Sequence, residues 1–374
     1  MTTVFLVSHY TPTQGIIDKF KEYFYSKKGF RTYLVQHPLY PSSGLPSRVV
    51  SQNREVTTHL PAGLQFAIEG FASLFLLKKL GEKINKAGIA LCFDPLAFLH
   101  MFLLKRTLGI KKVVYYNMDF STQRFENKFM NAMYRLIDRF AYKKSDFFVS
   151  VTEEYINYTD PKGKYRDKNI IIRHFVETKL VKKVAKQKNS IVFAGTLSKT
   201  IDFEPLLLAV RKLKDSEIKF VLDIYGTGTN EPKVRRKVKS LGLNKEVAFK
   251  GTVENKKLVR EILPRYEIAV APYISKDKSV SDHMFRGIDL TSKLVEYLAA
   301  GTPIVTTRLF PAFDVIEEKR FGFLVSNKDE WYSALKNLLT DDNTLKTYSE
   351  NASRYAKRYD TETVLTPIVK KVLP

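Results

Sequence analysis

Four short stretches in the second half of the chain combine glycine, lysine and hydroxyl residues in a way suited to holding phosphate. Phe193-Ala194-Gly195-Thr196-Leu197-Ser198-Lys199 reads as a strand end, a glycine turn and a lysine. A glycine at that point lets a ligand approach the backbone, and a lysine meets a phosphate as a point charge. Ile224-Tyr225-Gly226-Thr227-Gly228 places a glycine pair after a second strand. It lacks the third glycine of a dinucleotide fingerprint, so a plain tight turn and a nucleotide contact both stay open. Phe249-Lys250-Gly251-Thr252-Val253 is a further strand running into a glycine turn. The longest stretch, DLTSKLVEYLAAGTPIV from Asp289 to Val305, says most. Thr291 or Ser292 can cap a helix that carries Lys293 and Glu296 in its first turns. Gly301 ends that helix, and Pro303 opens a buried strand. Unpaired N–H groups and the positive end of the dipole suit such a helix start to a diphosphate. Glu296 is then either a ribose ligand or an exposed helix charge.

These stretches need strands to present them. β-rich runs alternate with helix-period segments at Val4–Ser8, Thr32–Gln36, Ile89–Phe93, Val113–Asn117, Phe147–Val151 and Ile170–Ile172. The second half repeats the pattern at Ile191–Ala194, Phe220–Ile224, Val247–Phe249, Ile268–Ala271, Ile304–Thr306 and Phe323–Val325. Nearly continuous apolar runs suit parallel strands buried on both faces. The expectation is α/β, with two successive doubly wound Rossmann-like domains facing a cleft, at residues 1–180 and 181–345. The lysine-rich stretch Val181–Asn189 is the expected linker. Residues 346–374 are expected as a helical segment that can cross back to the first domain.

From Ile191 to about Ala352 the chain resembles the donor-binding half of GT-B glycosyltransferases, and most of all the large retaining family four. The stretch Lys-Leu-x-Glu-Tyr-x-Ala-x-Gly-x-Pro-Ile-Val from Lys293 to Val305 carries the resemblance most specifically. The first half resembles the acceptor-binding domain more loosely. The resemblance implies that Glu296 binds the ribose of a nucleoside diphosphate. It implies that Lys199 and the backbone of Thr291, Ser292, Lys293 and Leu294, with the Lys293 side chain, hold the diphosphate. Gly195, Gly226, Gly228 and Thr252 would line the nucleotide pocket, and Gly15 would approach the phosphates from the first domain. The implied reaction is a retaining, metal-independent glycosyl transfer from a nucleotide sugar to a glycan or lipid-linked glycan, in cell-envelope polysaccharide or glycoconjugate synthesis. The departing phosphate itself would take the acceptor's proton.

The chain departs from the family pattern in three places. Where the family has a further glutamate before the ribose-binding one, this chain has Ile288, with Asp289 beside it: either Asp289 substitutes after a loop adjustment or the sugar-facing acid is missing. Thr196 stands where an arginine often follows the first glycine. After the fourth strand, where many members carry a histidine, the chain reads Val114-Tyr-Tyr-Asn117-Met-Asp119-Phe, so Asn117 or Asp119 would take that place. These departures leave room for an alternative, a catalytically degraded GT-B protein that serves as a partner or scaffold.

Composition bounds the rest. Lys+Arg is 62 against Asp+Glu 39 in 374 residues, a net charge of +23. The first 180 residues hold 27 basic and 15 acidic residues and the remainder 35 and 24, so the excess is +12 and +11 and is no detachable basic arm. No RRM, KH or zinc-finger signature accompanies it, so a nucleic-acid partner is not expected. An anionic membrane surface is. The apolar segment Gly63–Leu80 ends in lysines and is the candidate for that surface, whereas Leu96–Arg106 reads as a core helix. His9, at the first strand's end, and Arg124 are the candidate acceptor contacts. The one cysteine, Cys92, excludes a disulfide framework. The histidines are scattered without metal-ligand spacing, so neither metal nor cofactor is expected. The amino terminus lacks a signal-peptide pattern, and no apolar run reaches the ~18–20 residues that span a bilayer. The expected location is cytoplasmic, peripheral on the inner membrane face.

Overall fold

The computed structural model describes residues 1–10, 15–39, 43–61, 63–81, 88–117, 127–274, 289–309 and 311–373. The chain forms two compact units. Met1–Ile172 and Leu365–Pro374 make the first, and Arg173–Val364 the second. The division falls ahead of the expected linker, and part of that lysine-rich stretch is already strand.

The first unit runs β1 (Thr2–Tyr10), α1 (Gly15–Ser26), β2 (Phe30–Pro38), β3 (Ser47–Val50), β4 (Glu55–Thr58), α2 (Gln65–Leu80) and β5 (Gly88–Cys92). It continues α3 (Pro95–Leu104), β6 (Ile110–Asn117), α4 (Lys128–Lys144), β7 (Phe147–Ser150), α5 (Glu153–Thr159) and β8 (Asn169–Ile171). The strands lie in the order β4-β3-β2-β1-β5-β6-β7-β8. All six expected strands are present and parallel. The β3–β4 pair is an antiparallel addition at the β2 edge. Its four-residue strands are too short and too polar for periodicity to reveal.

The second unit runs β9 (Gln187–Ala194), α6 (Glu204–Asp215), β10 (Val221–Tyr225), α7 (Glu231–Ser240), β11 (Val247–Gly251), α8 (Asn255–Lys257) and β12 (Tyr266–Ala271). It continues α9 (Ser292–Ala299), β13 (Ile304–Thr307), α10 (Val315–Glu318), β14 (Gly322–Val325), α11 (Lys328–Thr340), α12 (Asp342–Ala356) and α13 (Thr361–Val372). The order β11-β10-β9-β12-β13-β14 is the Rossmann order, parallel throughout. Residues from Leu365 onward pack with the first unit. There Leu365, Val369 and Val372 line a small apolar cavity with Val4, Phe20 and Phe24.

Each sheet has one point where the strand order reverses, between β1 and β5 in the first and between β9 and β12 in the second. Helices leave opposite faces on either side of such a point, which opens a crevice at the strands' carboxyl ends. Those two crevices position the chemistry below.

Candidate functional site

At the second crevice the glycine turns interlock through their backbones. Gly195 N–H donates to Tyr225 O at 3.0 Å, Leu197 N–H to Thr227 O at 3.0 Å, and Gly226 N–H to Gly251 O at 2.7 Å. A Cβ on Gly226 would lie 2.1 Å from Gly195 O, and its φ is +114°. Only glycine tolerates both. A Cβ on Gly228 would lie 2.4 Å from Leu197 O. Thr252 is exposed beside these turns, its hydroxyl 3.3 Å from that of Thr227.

Helix α9 starts at the same crevice. Tyr297 ties it to the strand ends, accepting from Ala194 N–H at 2.8 Å and lying 3.3 Å from Val270 O. The Thr291 hydroxyl is 2.8 Å from the Tyr273 hydroxyl. The side chain of Leu294 is wholly in the core, so only its backbone can serve a ligand.

Lys293 carries the electrostatics. Its ammonium lies 4.2 Å from the centre of the Phe193 ring and 5.3 Å from that of Tyr273. No carboxylate or carbonyl among the described residues bonds it. A Cβ on Gly195 would come within 2.8 Å of this ammonium, so the glycine leaves it open to approach. Burial lowers Lys293 from 10.5 to about 7, against the opposing pull of Glu296. Glu296 is itself buried. Its Oε1 accepts from Asn255 Nδ2 at 3.3 Å and sits 3.5 Å from Ser292 Oγ. Lys199 is exposed at the lip of the first turn. The crevice thus brings together two cations, one exposed and one held against aromatic rings, a buried carboxylate and a helix start.

Asp289, the expected substitute acid, has other partners. Its Oδ2 pairs with Arg173 Nε at 3.0 Å and accepts from Tyr359 OH at 2.9 Å. The carboxylate therefore ties the start of the second unit to its last turns. Ile288 lies outside the described residues, as do Asp119 and Arg124.

In the first unit Gly15 begins α1. Asn117 ends β6 and is buried, its Nδ2 donating to Tyr115 OH at 3.0 Å. Tyr115 and Tyr155 both donate to Asp138, so Asn117 belongs to a buried polar chain. His9, an expected acceptor contact, is buried, and both its ring nitrogens are occupied. Nδ1 is 2.9 Å from Asp94 Oδ1 and Nε2 is 2.8 Å from Glu69 Oε2. The two carboxylates overcome burial and raise His9 to about 10, and the His9 charge holds Asp94 well below the usual range.

Reasoning from sequence missed Asn255, the rings of Phe193 and Tyr273, and the Asp94–His9–Glu69 array. It also missed Tyr297, which had a local signal inside the signature, and the signal for Glu69 lay in the polar stripe of its helix.

Residues 176–355 match the family described as glycosyl transferases group 1. A search among curated proteins finds no match to the sequence. Among solved structures, the chain is similar to a TarM variant from S. aureus, solved with fondaparinux, α-GlcNAc-glycerol and UDP. The identity is 15% and the TM-score 0.59, over 88% of this chain and 62% of that one. It is similar to sucrose-phosphate synthase from Thermosynechococcus elongatus at 12% identity and TM-score 0.71, over 99% and 98% of the two chains. It is similar to WaaG, a glycosyltransferase involved in lipopolysaccharide biosynthesis, at 15% identity and TM-score 0.61, over 99% of each chain. The chain thus spans under two thirds of TarM and nearly all of the other two. Such identities carry the fold, and the family match carries the second unit. The chain has the GT-B fold, and its second unit is a group 1 glycosyltransferase domain.

Proposed function

We propose that the chain transfers a sugar from a nucleoside-diphosphate sugar, held by the second unit, to a glycan or lipid-linked glycan acceptor. The observation that carries this reading is Lys293, an ammonium seated on two rings beneath Gly195 with no anion of the described residues bonded to it. A donor diphosphate supplies that anion. Lys293, Lys199 and the free N–H groups at the start of α9 then stabilise the charge that develops as the glycosidic bond breaks. Glu296, braced by Asn255, is placed to accept from the ribose hydroxyls. We read the transfer as retaining: the bond from the anomeric carbon to the diphosphate breaks, the acceptor oxygen bonds to that carbon, and its proton passes to the departing phosphate.

The TarM variant was solved with UDP, so uridine nucleotides are the first probes. Calorimetric titration with UDP should give binding that Glu296→Ala weakens by about 10–100-fold, as expected for hydrogen bonds to a charged group. If every nucleoside diphosphate binds the Glu296→Ala variant as tightly as the native protein, the site is misassigned. Asp289, engaged by Arg173 and Tyr359, favours one other reading, a domain that binds donor without turning it over. Release of sugar from a bound donor separates the two.

The acceptor reading rests on the first unit. Helix α2 turns Gln65, Glu69 and Ser73 inward and leaves Phe71 75% and Phe75 56% exposed, next to exposed Lys78 and Lys79. An outward apolar stripe ending in lysines suits the interface of an anionic membrane. No described helix is long and apolar enough to cross one. Sedimentation with anionic vesicles should carry the native protein down and leave Phe71→Ser/Phe75→Ser in solution. Equal sedimentation of both would remove α2 from this role.

A further inference from the structure

The crevice of the first unit contains an array that donor transfer does not use. His9 at the end of β1, Glu69 on α2 and His100 on α3 are all buried, and His9 Nε2, Glu69 Oε2 and His100 Nδ1 lie within 4.8 Å of one another. Glu69 Oε2 is 2.8 Å from His9 Nε2 and 3.6 Å from His100 Nδ1.

The protonation of His100 can be worked out from its neighbours. Its Nε2 lies 3.3 Å from the carbonyl oxygen of Phe66, which only accepts, so Nε2 carries the hydrogen. In a neutral imidazole the other nitrogen is then a bare lone pair. That nitrogen, Nδ1, is buried and has no hydrogen-bond partner. It faces a carboxylate oxygen, which is also a lone-pair centre. Two such atoms confronting each other away from water are unfavourable unless something positive lies between them.

The opposite side of each group is already fixed. His9 Nδ1 is held by Asp94 Oδ1 at 2.9 Å, and the His9 backbone N–H donates to Asp94 Oδ2 at 2.8 Å. Glu69 Oε1 accepts from Gln65 Nε2 at 2.7 Å. His37, the next ring, is excluded, because the hydroxyls of Ser47 and Ser73 occupy both its nitrogens at 2.9 Å. Three atoms therefore converge while a carboxylate, an amide and a carbonyl orient their back sides. Metal-binding histidines and carboxylates are oriented in this way.

We propose that His9 Nε2, Glu69 Oε2 and His100 Nδ1 bind one divalent transition-metal ion, of which Zn²⁺ suits the donor set best. Two imidazoles and a carboxylate favour Zn²⁺ and its neighbours over Mg²⁺ or Ca²⁺, which take oxygen ligands. Bonds of ~2.0–2.2 Å require His100 to close toward His9, which the Asp94 clamp holds still. The ion takes the place of the proton between His9 and Glu69, and that proton is released to solvent. Its role is structural: the ion joins β1, α2 and α3, and one water molecule completes its four ligands.

The test uses the full chain, stripped with a chelator and titrated with Co²⁺ while its ligand-field absorption is followed. The expected result is one Co²⁺ per chain with a four-coordinate spectrum, displaced by Zn²⁺. Zn²⁺ raises the melting temperature and Mg²⁺ does not. Asp94→Asn lowers the affinity about 10–100-fold. His100→Gln lowers it at least as far, while a change at the exposed His59, His59→Gln, leaves it unaltered. No stoichiometric uptake by the native chain overturns the proposal, and so does uptake undiminished in His100→Gln. Should His100→Gln fail to fold, the native titration and the Zn²⁺-dependent melting shift decide alone.

Discussion

The two crevices of this chain share a topology and treat charge in opposite ways. In the first unit, the ends of β1 and β5 present His9 and Asp94, and α2 adds Glu69 from above. The imidazolium sits between two carboxylates, so the charges are met by the protein's own groups. In the second unit, β9 and β10 run into Gly195 and Gly226, and α9 brings Lys293 to rest on aromatic rings with its ammonium bonded to no anion of the described residues. The same strand-order reversal supplies a paired strut in one unit and, on the proposed function, a receptor in the other. The difference lies in what stands just past the strand. Titratable side chains fill the first crevice. Glycines empty the second, and leave a cation with no anionic partner among the described residues.

The strongest way to break this contrast is to remove one member of the closed set. In the metal-free protein, Glu69→Ala leaves His9 charged and half paired in a buried site. Breaking a buried pair by losing one partner costs about 3–5 kcal/mol. Urea unfolding should show a loss of that size, with donor affinity retained in whatever fraction folds. A loss below about 1 kcal/mol would mean that water reaches the array, and the strut reading would fall.

The two crevices were also unequally legible. The second was readable because its parts are contiguous: a glycine after each strand, and a lysine, a glutamate and a tyrosine on one short helix. The first draws on β1, α2, α3 and the turn before α3, so no spacing along the chain connects His9, Glu69, Asp94 and His100. One signal was present. Gln65, Glu69 and Ser73 recur at four-residue intervals inside an apolar segment, which marks a polar stripe on a helix. That stripe faces inward together with Leu76 and Leu77, while Phe71 and Phe75 face out. The partners of Asp289 were illegible for a related reason. Its neighbours in sequence suggest a sugar contact, but its partners Arg173 and Tyr359 come from the two ends of the unit.

A smaller effect sharpens the receptor side. Lys293 is lowered from 10.5 to about 7 in the folded protein. Between those values the unfolded chain binds the extra proton and the folded chain does not. Stability of the ligand-free protein should therefore gain from this group as pH rises from about 7 to 10.5, and the gain is absent below 7. Donor binding has the opposite sign, because a diphosphate favours the charged lysine. Above pH 7, binding takes up a proton, and affinity falls by at most about tenfold per pH unit. Titration of UDP at pH 8 in buffers of different ionisation heat measures the uptake directly. Lys293→Met should abolish it. An apparent enthalpy independent of buffer would show that Lys293 is already charged before the donor arrives.

The smallest expected effect concerns Asp289. The Arg173 and Asp289 side chains are 45% and 31% exposed, so solvent screens the pair. Such pairs contribute about 0.2–1 kcal/mol. Asp289→Asn keeps an oxygen that can accept from Tyr359 and removes only the charge. Urea unfolding should register a loss within that range, and UDP affinity should not move if, as proposed, Lys293, Glu296 and the glycine turns receive the donor. A drop in transfer rate with UDP affinity intact would give a different answer. Asp289 would then leave Arg173 during the reaction and face the sugar, and the second crevice would hold an acid that opens only for its substrate.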